Sequence, residues 1–272
     1  MTERGRRFSR RTLIKGAILA GIGGTAWYQL GARNRLEVRR ETLRLPKWKA
    51  DGFRVGFLSD LHVHTEFQVD PALEAVRSVV DERPDVILIG GDYLNNYRSL
   101  PHVETFLRKI ETKGIPAFTV LGNHDFWSGD VKGLMTRIGS SSIRLLRNEI
   151  VNVDGVTIYG IDDGIQGADR HDRLEKRKDS GSVLAVFHEP DFVERVDERI
   201  SLMLAGHSHG GQVCLPFGKP LNLPRGARKY WDGFYPDAKV PLFVTRGVGM
   251  TGPQVRAFCR PDVSILTLRG AA

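Results

Sequence analysis

Short apolar runs alternate with helical patterns in the first half of the chain. The runs at residues 54–59, 86–89 and 117–121 are continuous, which is typical of strands buried on both faces. Between them, residues 72–82 and 102–111 have apolar positions at helical spacing. This alternation predicts an α/β sheet whose parallel strands are joined by helices.

The second half of the chain is richer in strand patterns. Asp154-Gly155, between the apolar segments 150–153 and 156–160, is typical of a two-residue hairpin turn. Residues 36–45 alternate loosely and predict an edge strand. The pattern as a whole predicts one α/β domain over residues 36–272, a sandwich of two sheets flanked by helices. Further strands are predicted at residues 143–146, 183–187, 202–205, 241–245, 254–258 and 264–268.

The net charge of +8 is concentrated near the N-terminus. Of the 40 basic and 32 acidic residues, 13 and 3 fall within residues 1–49, which leaves 27 and 29 for residues 50–272. A nucleic-acid-binding domain would need a basic excess of its own. The charge distribution therefore predicts no nucleic-acid partner for the folded part.

Residues 1–35 have the composition of an export signal. Residues 1–15 are strongly basic, and residues 16–32 carry no charge and are mostly small or apolar. The junction Ser9-Arg10-Arg11-Thr12-Leu13-Ile14-Lys15 resembles a twin-arginine signal. This implies that the twin-arginine machinery exports the folded chain to the periplasm or to the outer face of the cytoplasmic membrane. Residues 24–26 offer a cleavage site, but retention as a marginal anchor is the alternative.

The chain contains two cysteines, Cys214 and Cys259, which are too few for a disulfide framework. They could form one bridge in an oxidising compartment or remain buried thiols, because bridging depends on their distance in the fold. No Cys-x-x-Cys motif is present in the sequence, which argues against a structural zinc ribbon.

Residue types that bind metals stand at the ends of five predicted strands. His207 and His209 are one residue apart, so on extended chain their imidazoles point to the same side and suit a pair of metal ligands. Ligands collect at the carboxyl ends of strands in α/β sheets. Each candidate alone could be a turn or cap residue, but five such coincidences favour a metal site. The other candidates are Asp60, His62, Asp92, Asn123, His124 and His188.

Five sequence blocks together resemble the calcineurin-like metallophosphoesterase superfamily over roughly residues 53–212. They are Asp60-x-His62, Gly91-Asp92, Gly122-Asn123-His124-Asp125, His188 and Gly206-His207-x-His209. The segment at residues 245–249 is also similar to exported bacterial phosphodiesterases of this superfamily. The resemblance implies an α/β fold of the four-layer type, in which two mixed sheets form a β-sandwich flanked by helices.

The resemblance also implies two divalent metal ions bridged by Asp92. One ion would bind Asp60, His62, Asp92 and His209, and the other would bind Asp92, Asn123, His188 and His207. Mixed nitrogen and oxygen ligands suit Mn²⁺, Fe or Zn²⁺ better than Mg²⁺ or Ca²⁺, and we favour Mn²⁺.

The reaction implied by the resemblance is phosphoester hydrolysis. A hydroxide bridging the two ions would attack phosphorus in line, and His124 would hydrogen-bond a phosphate oxygen or protonate the leaving oxygen. Asp125 would orient His124. The leading hypothesis is a phosphodiesterase acting on a phosphate-ester substrate.

Two other functions are compatible with the same residues. One is a pyrophosphatase of the UDP-2,3-diacylglucosamine type, which acts in lipid A synthesis and would need cytoplasmic access. The other is a metal-binding scaffold that holds partners without turnover. The oligomeric state is not predicted.

Three segments are candidates for substrate contact, with a solvated loop as the alternative for each. The first has Asn95, Asn96 and Arg98, and the second is the polar loop at residues 162–181. The third, at residues 219–235, is basic and aromatic and could touch anionic lipid head groups. Its side chains of interest are Arg225, Arg228, Lys229, Tyr230 and Trp231, and those of the polar loop are Asp163, Arg170, His171 and Arg173.

Overall fold

The computed structural model describes residues 35–170, 174 and 181–271. The predicted export segment therefore lies almost wholly outside the described residues, as do His171 and Arg173 of the polar loop. None of the helices in the described part has the length and apolar composition that crossing a bilayer requires.

The first sheet has six strands in the order β1-β12-β2-β3-β4-β5. Strands β2 to β5 are parallel to one another, and β12 runs antiparallel to β2. The edge strand β1 pairs in parallel with β12. These strands are β1 (Glu37–Leu45), β2 (Arg54–Leu58), β3 (Val86–Ile89), β4 (Ala117–Thr119), β5 (Arg144–Leu145) and β12 (Asp262–Gly270).

The second sheet has six strands in the order β10-β11-β9-β8-β7-β6. Strands β7, β8, β9 and β11 are parallel, whereas β6 and β10 pair antiparallel at the two edges. Both sheets are therefore mixed, as predicted. These strands are β6 (Glu149–Val153), β7 (Val156–Gly160), β8 (Val183–Val186), β9 (Leu202–Ala205), β10 (Gly233–Tyr235) and β11 (Leu242–Val244).

The two sheets pack face to face because alternate residues of each buried strand point to opposite sides. In β3, Leu88 belongs to the core between the sheets, whereas Ile87 and Ile89 point to the helical side. In β9, Leu204 faces the same inter-sheet core and Met203 faces the opposite side of the second sheet. Continuous apolar strands are thus explained by burial on both faces.

Helices cover the outer face of the first sheet. On the outer face of the second sheet, the described residues provide a 3₁₀ segment, Pro190–Arg195, and neighbouring loops. The arrangement confirms an α/β sandwich of two mixed sheets with flanking helices. The helices are α1 (Glu66–Val80), α2 (Leu100–Lys109), α3 (Asn123–Trp127) and α4 (Val131–Gly139).

Several elements differ from the sequence-based expectation. Helix α1 begins six residues earlier than predicted, since Gln68 Oε1 accepts the Thr65 N–H (3.0 Å) and so satisfies a donor at the helix start. Residues 254–258 do not form the predicted strand; Ala257 makes only an isolated bridge to Val213. Helices α3 and α4 and strand β10 were not predicted; they are only five, nine and three residues long.

Candidate metal centre

The carboxyl ends of strands from both sheets meet at one edge of the sandwich and carry the predicted ligands. Asp60 and His62 follow β2, Asp92 follows β3, and Asn123 follows β4. From the second sheet, His188 follows β8, while His207 and His209 follow β9. All seven side chains are buried. Six of them form two groups, each of which could hold a metal ion.

The first group consists of Asp60, His62 and His209. The Nε2 atoms of His62 and His209 lie 3.1 Å apart. Nε2 of His209 is also 3.4 Å from Oδ1 of Asp60. Two imidazole nitrogens and a carboxylate oxygen therefore converge on one point, which is the geometry of a cation site.

The second group consists of Asp92, His188 and His207. Nε2 of His188 lies 3.2 Å from Oδ2 of Asp92, and that same oxygen is 3.6 Å from Nε2 of His62 in the first group. One carboxylate oxygen thus lies between the two groups.

Asn123 lies beside the second group. It is the first residue of α3, and its buried Oδ1 has no hydrogen-bond partner among the described residues. Buried polar atoms are normally paired, so an orphaned amide oxygen at this position suits a metal ligand.

Backbone groups orient the imidazoles of the second group. Nδ1 of His188 lies 2.6 Å from the Gly90 carbonyl oxygen, and Nε2 of His207 lies 2.8 Å from that of Arg225. Each ring nitrogen that faces a carbonyl must carry the proton, so the other nitrogen presents its lone pair to the site.

Asp60 of the first group is held by the His207 backbone N–H, which donates to both carboxylate oxygens (3.0 and 3.1 Å).

The protonation of the site favours metal ligation. Burial lowers the pKa of His62 to about 3 and that of His207 to about 4, so both are neutral at pH 7. Burial also lowers the pKa of His209 well below its usual value. For His188 burial acts in the same direction, but the adjacent Asp92 carboxylate outweighs it and raises the pKa. A divalent cation would compete with that proton for Nε2.

Five of the ligand residues have left-handed backbone conformations, which cost energy in residues other than glycine. Such conformations persist where the surrounding structure enforces them, and they cluster at functional sites. The positive φ angles are 55° at Asp60, 44° at His62, 57° at Asp92, 65° at His207 and 51° at His209.

The residues present fit two divalent ions. They offer four imidazoles, two carboxylates and one amide oxygen, all buried and directed at two neighbouring points. Without a bound cation, the His62 and His209 nitrogens would face one another with only a proton between them. The donor set is that of a transition-metal site rather than a calcium site.

His124 stands at the wall of the same space. Its ring is perpendicular to that of His62, with the centroids 5.0 Å apart, and its Nε2 lies 3.4 Å from Oγ1 of Thr251. Its backbone N–H donates to Oδ1 of Asp92 (2.9 Å). The side chain is half-buried at the cleft, where a substrate could reach it.

Asp125 makes different contacts from those expected. The sequence predicts that it orients the His124 imidazole, but its Oδ2 accepts the backbone N–H groups of Asp92 (2.9 Å) and Gly122 (3.0 Å). Its Oδ1 accepts that of Tyr93 (2.8 Å). These bonds hold the strand-end loops that carry Asp92 and Asn123.

Arg256 is a residue of the site that the sequence did not reveal. It is buried, and its guanidinium donates to the carbonyl oxygens of His209 (3.2 Å), Gly247 (3.1 Å) and Gly249 (2.7 Å). The Gly249 N–H donates in turn to the carbonyl of Asp60 (2.6 Å). Arg256 therefore ties together the loops behind the first group. No motif marks it, because its contacts are mostly to backbone carbonyls. Its one side-chain contact among the described residues is to Sγ of Cys259 (3.8 Å).

The two cysteines, Cys214 and Cys259, are buried free thiols close to His209 and Gly210. The Sγ atoms of Cys214 and Cys259 lie 3.2 and 3.5 Å from the same Gly210 carbonyl oxygen. Cys259 also donates to the carbonyl of His209 (3.2 Å).

A cleft of about 540 Å³ opens over both ligand groups. Asp92, Asn123 and His124 form part of its floor and wall, with Trp127 and Arg225 at its sides. Among the three predicted substrate segments, residues 219–235 contribute Arg225 and the 162–181 loop contributes Ile165.

The remaining substrate candidates have other positions. Asn95 hydrogen-bonds His64 (3.4 Å), Asp163 is buried, and Lys229 pairs with Glu194 (2.5 Å). Asn96 caps a 3₁₀ turn by accepting the N–H of Arg98 (3.0 Å). None of the nine described candidates other than Arg225 lines the cleft; they are Asn95, Asn96, Arg98, Asp163, Arg170, Arg228, Lys229, Tyr230 and Trp231.

Two buried groups of residues that could each hold a metal ion thus lie at the carboxyl edge of a two-sheet sandwich, which is the arrangement of a metal-dependent enzyme centre. Residues 53–211 match the family model for calcineurin-like phosphoesterases, and the chain belongs to this family. It is accordingly a metal-dependent phosphoester hydrolase.

Two bacterial relatives match almost the whole chain. The uncharacterized metallophosphoesterase YkuE of Bacillus subtilis is 28% identical over 97% of this chain and 99% of its own length. Phosphodiesterase YaeI of Escherichia coli is 30% identical over 97% of this chain and 98% of its own length. Among solved structures, sulfate thiohydrolase SoxB of Thermus thermophilus covers 83% of this chain and 58% of its own, with 13% identity and a TM-score of 0.46.

Proposed function

We propose that the chain is a dinuclear metal-dependent phosphodiesterase. The observation that carries this is the position of Asp92 Oδ2, which lies within 3.6 Å of imidazole nitrogens from both ligand groups at the floor of the cleft. The similarity to phosphodiesterase YaeI supports a diester as the substrate. Manganese is our proposed metal, on the grounds of the mixed nitrogen and oxygen donors.

Each ligand has a proposed place. When bound, two such ions would polarise the phosphate and lower the pKa of an attacking water. Asp60, His62 and His209 would hold one ion, Asn123, His188 and His207 would hold the other, and Asp92 would contact both. The backbone carbonyls of Gly90 and Arg225 keep two of the imidazoles in the required tautomer.

His124 is the proposed catalytic residue. Because its ring lies at the cleft wall, it can donate a hydrogen bond to a phosphate oxygen or a proton to the leaving oxygen. Thr251 lies close enough to Nε2 to orient the ring (3.4 Å). Asp125 is a positioning residue, since it acts through the backbone of Asp92, Tyr93 and Gly122.

The test is hydrolysis by the full chain with and without added Mn²⁺. We expect metal-dependent cleavage of bis-p-nitrophenyl phosphate that exceeds cleavage of the monoester p-nitrophenyl phosphate. His124→Ala should lose about 10²–10⁴-fold in rate with both ions retained. His102→Ala, a histidine substitution on α2, is the matched control. Two bound ions without turnover of either ester would contradict the proposal and favour a non-catalytic scaffold or a pyrophosphatase.

We also propose that the chain is exported by the twin-arginine route. The support is the sequence of residues 9–15 and the uncharged run that follows. Residues 1–35 fused to a reporter that is active only after export should export it. The reporter should become inactive when Arg10 and Arg11 are both replaced by lysine, and a reporter that stays active would contradict the route.

A further inference from the structure

The exposed large apolar side chains are concentrated on one face of the protein. Phe217 is fully exposed and Phe67 is 90% exposed, which is unusual for aromatic side chains of a soluble surface. The described residues include eight such side chains in all: Phe67, Tyr97, Trp127, Leu215, Phe217, Leu221, Val255 and Phe258.

All eight lie in segments that follow the carboxyl ends of parallel strands. Phe67 follows β2, Tyr97 follows β3 and Trp127 follows β4. The remaining five lie between β9 and β10 or between β11 and β12. This is the edge that carries both ligand groups, so apolar exposure and the cleft share one face. At the opposite edge, the described residues expose no large apolar side chain.

The most prominent part of this face is a tight loop at residues 213–221. Its ends are joined by hydrogen bonds from Leu221 N–H to the Val213 carbonyl (3.1 Å) and from Leu215 N–H to the Lys219 carbonyl (2.8 Å). Phe217 stands at the tip with a φ of 77°. The loop is therefore shaped to project Phe217 outward, and Leu221 continues the apolar surface into the cleft.

A second segment holds this loop in place. The Cys214 N–H donates to the Ala257 carbonyl (2.8 Å), which brings the loop beside Val255 and Phe258. Leu215, Phe217, Leu221, Val255 and Phe258 thus lie on two hydrogen-bonded segments. A concentration of exposed apolar side chains of this kind is typical of contact with a membrane or a protein.

Positive charge accompanies the apolar surface. Lys219 lies between Phe217 and Leu221, and Arg225 lies at the cleft. Within the described ranges, neither Lys219 nor Arg225 forms a salt bridge. Free cations beside apolar side chains are complementary to anionic lipid head groups.

The chain also enters the fold at this face. Strand β1 is parallel to β12, which is antiparallel to β2, so Glu37 at the start of β1 lies at the carboxyl edge. The carbonyl of Arg35 accepts a hydrogen bond from Arg260 (3.2 Å), two residues beyond Phe258. Residue 35 therefore lies at this face, beside Arg260.

From these observations we infer that this face docks on an anionic phospholipid bilayer, with Leu215, Phe217 and Leu221 entering the interface. The apolar loop supplies the buried contact, Lys219 and Arg225 face the head groups, and the cleft opens at the membrane surface. This inference concerns docking and holds whether or not the cleft hydrolyses a diester.

The experiment places an environment-sensitive probe at the loop tip of the full chain. Phe217→Cys and Lys113→Cys are each labelled with a nitrobenzoxadiazole thiol reagent, and the unsubstituted chain gives the background from the two buried cysteines. Lys113 is exposed on the loop before β4, at the opposite edge, so it is the matched control. Vesicles of phosphatidylcholine, with or without phosphatidylglycerol, are then added.

We expect the probe at residue 217 to shift to the blue and to be quenched by brominated lipid, more strongly with phosphatidylglycerol present. The probe at residue 113 should respond to neither. Lys219→Glu in the Phe217→Cys chain should weaken docking by roughly fivefold or more, the effect of about one basic residue at an anionic surface. Lys113→Glu in the same chain should leave docking unchanged.

Three outcomes would overturn the inference. The first is an absent response at residue 217, or equal responses at both positions when vesicles are added. The second is a blue-shifted probe without lipid that depends on protein concentration, which would make this face a contact between copies of the chain. The third is a blue-shifted probe without lipid at every concentration, which would assign the face to the N-terminal segment of the same chain.

Discussion

The two ligand groups have similar metal-binding atoms, but different contacts hold those side chains in place. In the second group, His188 and His207 each bond a backbone carbonyl through the nitrogen that points away from the site. In the first group, the Nδ1 atoms of His62 and His209 are buried without hydrogen-bond partners among the described residues. Support for the first group comes from the loops behind it, through Arg256.

This difference bears on metal affinity. Outer partners fix the tautomer and the direction of an imidazole, so a ligand that has them loses less freedom when a cation binds. We therefore expect the second group to hold its ion more tightly and the first group to lose its ion first under a chelator. Five substitutions test this comparison.

The largest effect is expected from the carboxylate that both groups share. Asp92→Asn removes the negative charge from the oxygen between the two groups, so both ions should bind more weakly. Phosphodiester hydrolysis should fall by more than about a hundredfold, because the loss of a residue that only hydrogen-bonds a ligand already costs about 10- to 100-fold. Metal content per chain and hydrolysis of bis-p-nitrophenyl phosphate are the measurements. Asp81→Asn, an exposed carboxylate at the opposite edge, is the control. Unchanged metal content with unchanged rate would remove Asp92 from the centre.

Two glycines lie against different ligands of the centre. A Cβ at Gly206 would overlap Oδ2 of Asp60 in the first group, whereas one at Gly122 would overlap Oδ1 of Asp92 and approach His188 Nε2 to 2.7 Å. Overpacking of this kind costs about 1–3 kcal/mol, equivalent to roughly 5- to 150-fold in affinity.

We expect Gly206→Ala to lose mainly the weaker ion and Gly122→Ala to weaken the tighter one, as measured by titration with a chelator. Gly139→Ala is the control, because a Cβ there meets nothing within 4 Å. If both variants lost the same ion, the two groups would not be separate sites.

The metal ligands could be predicted from the sequence, whereas the residues that hold the ligands in place could not. Asp60, Asp92 and His188 stand at the ends of apolar strands, and β topology brings strand ends to one edge whatever the intervening loops do. Arg256 donates to backbone carbonyls, which every residue has, so no sequence pattern indicates its role.

Sequence-based predictions were also wrong where contacts between distant parts of the chain decide the structure. Residues 254–258 have apolar side chains typical of a strand, yet Val255 and Phe258 are exposed at the surface of the cleft edge. The family resemblance implies that Asp125 orients its neighbour His124, but its carboxylate accepts the backbone N–H groups of Asp92 and Tyr93, more than thirty residues away in sequence. Such contacts depend on the assembled fold.

Arg256→Met tests the support of the first group directly. Burial lowers the pKa of the Arg256 guanidinium, yet several carbonyl acceptors surround it, so its loss leaves those oxygens unpaired. We expect the free energy of unfolding to fall by roughly 3 kcal/mol in urea denaturation. The first ion should bind about tenfold more weakly while the second is unchanged. Equal weakening of both ions would show that Arg256 supports the whole centre and not one group.

The smallest effect is expected from the thiol that shares a carbonyl with Arg256. Cys259 donates to the His209 carbonyl (3.2 Å), but a thiol is a weak donor and the guanidinium bonds the same oxygen. In Cys259→Ala the carbonyl therefore keeps its stronger partner, so affinity for the first ion should change by less than about fivefold, or about 1 kcal/mol. Cys214→Ala is the matched control, since its thiol contacts the Gly210 carbonyl and the Cys259 thiol. If Cys259→Ala weakened the first ion as much as Arg256→Met, the thiol and not the guanidinium would be the group that holds His209 in position.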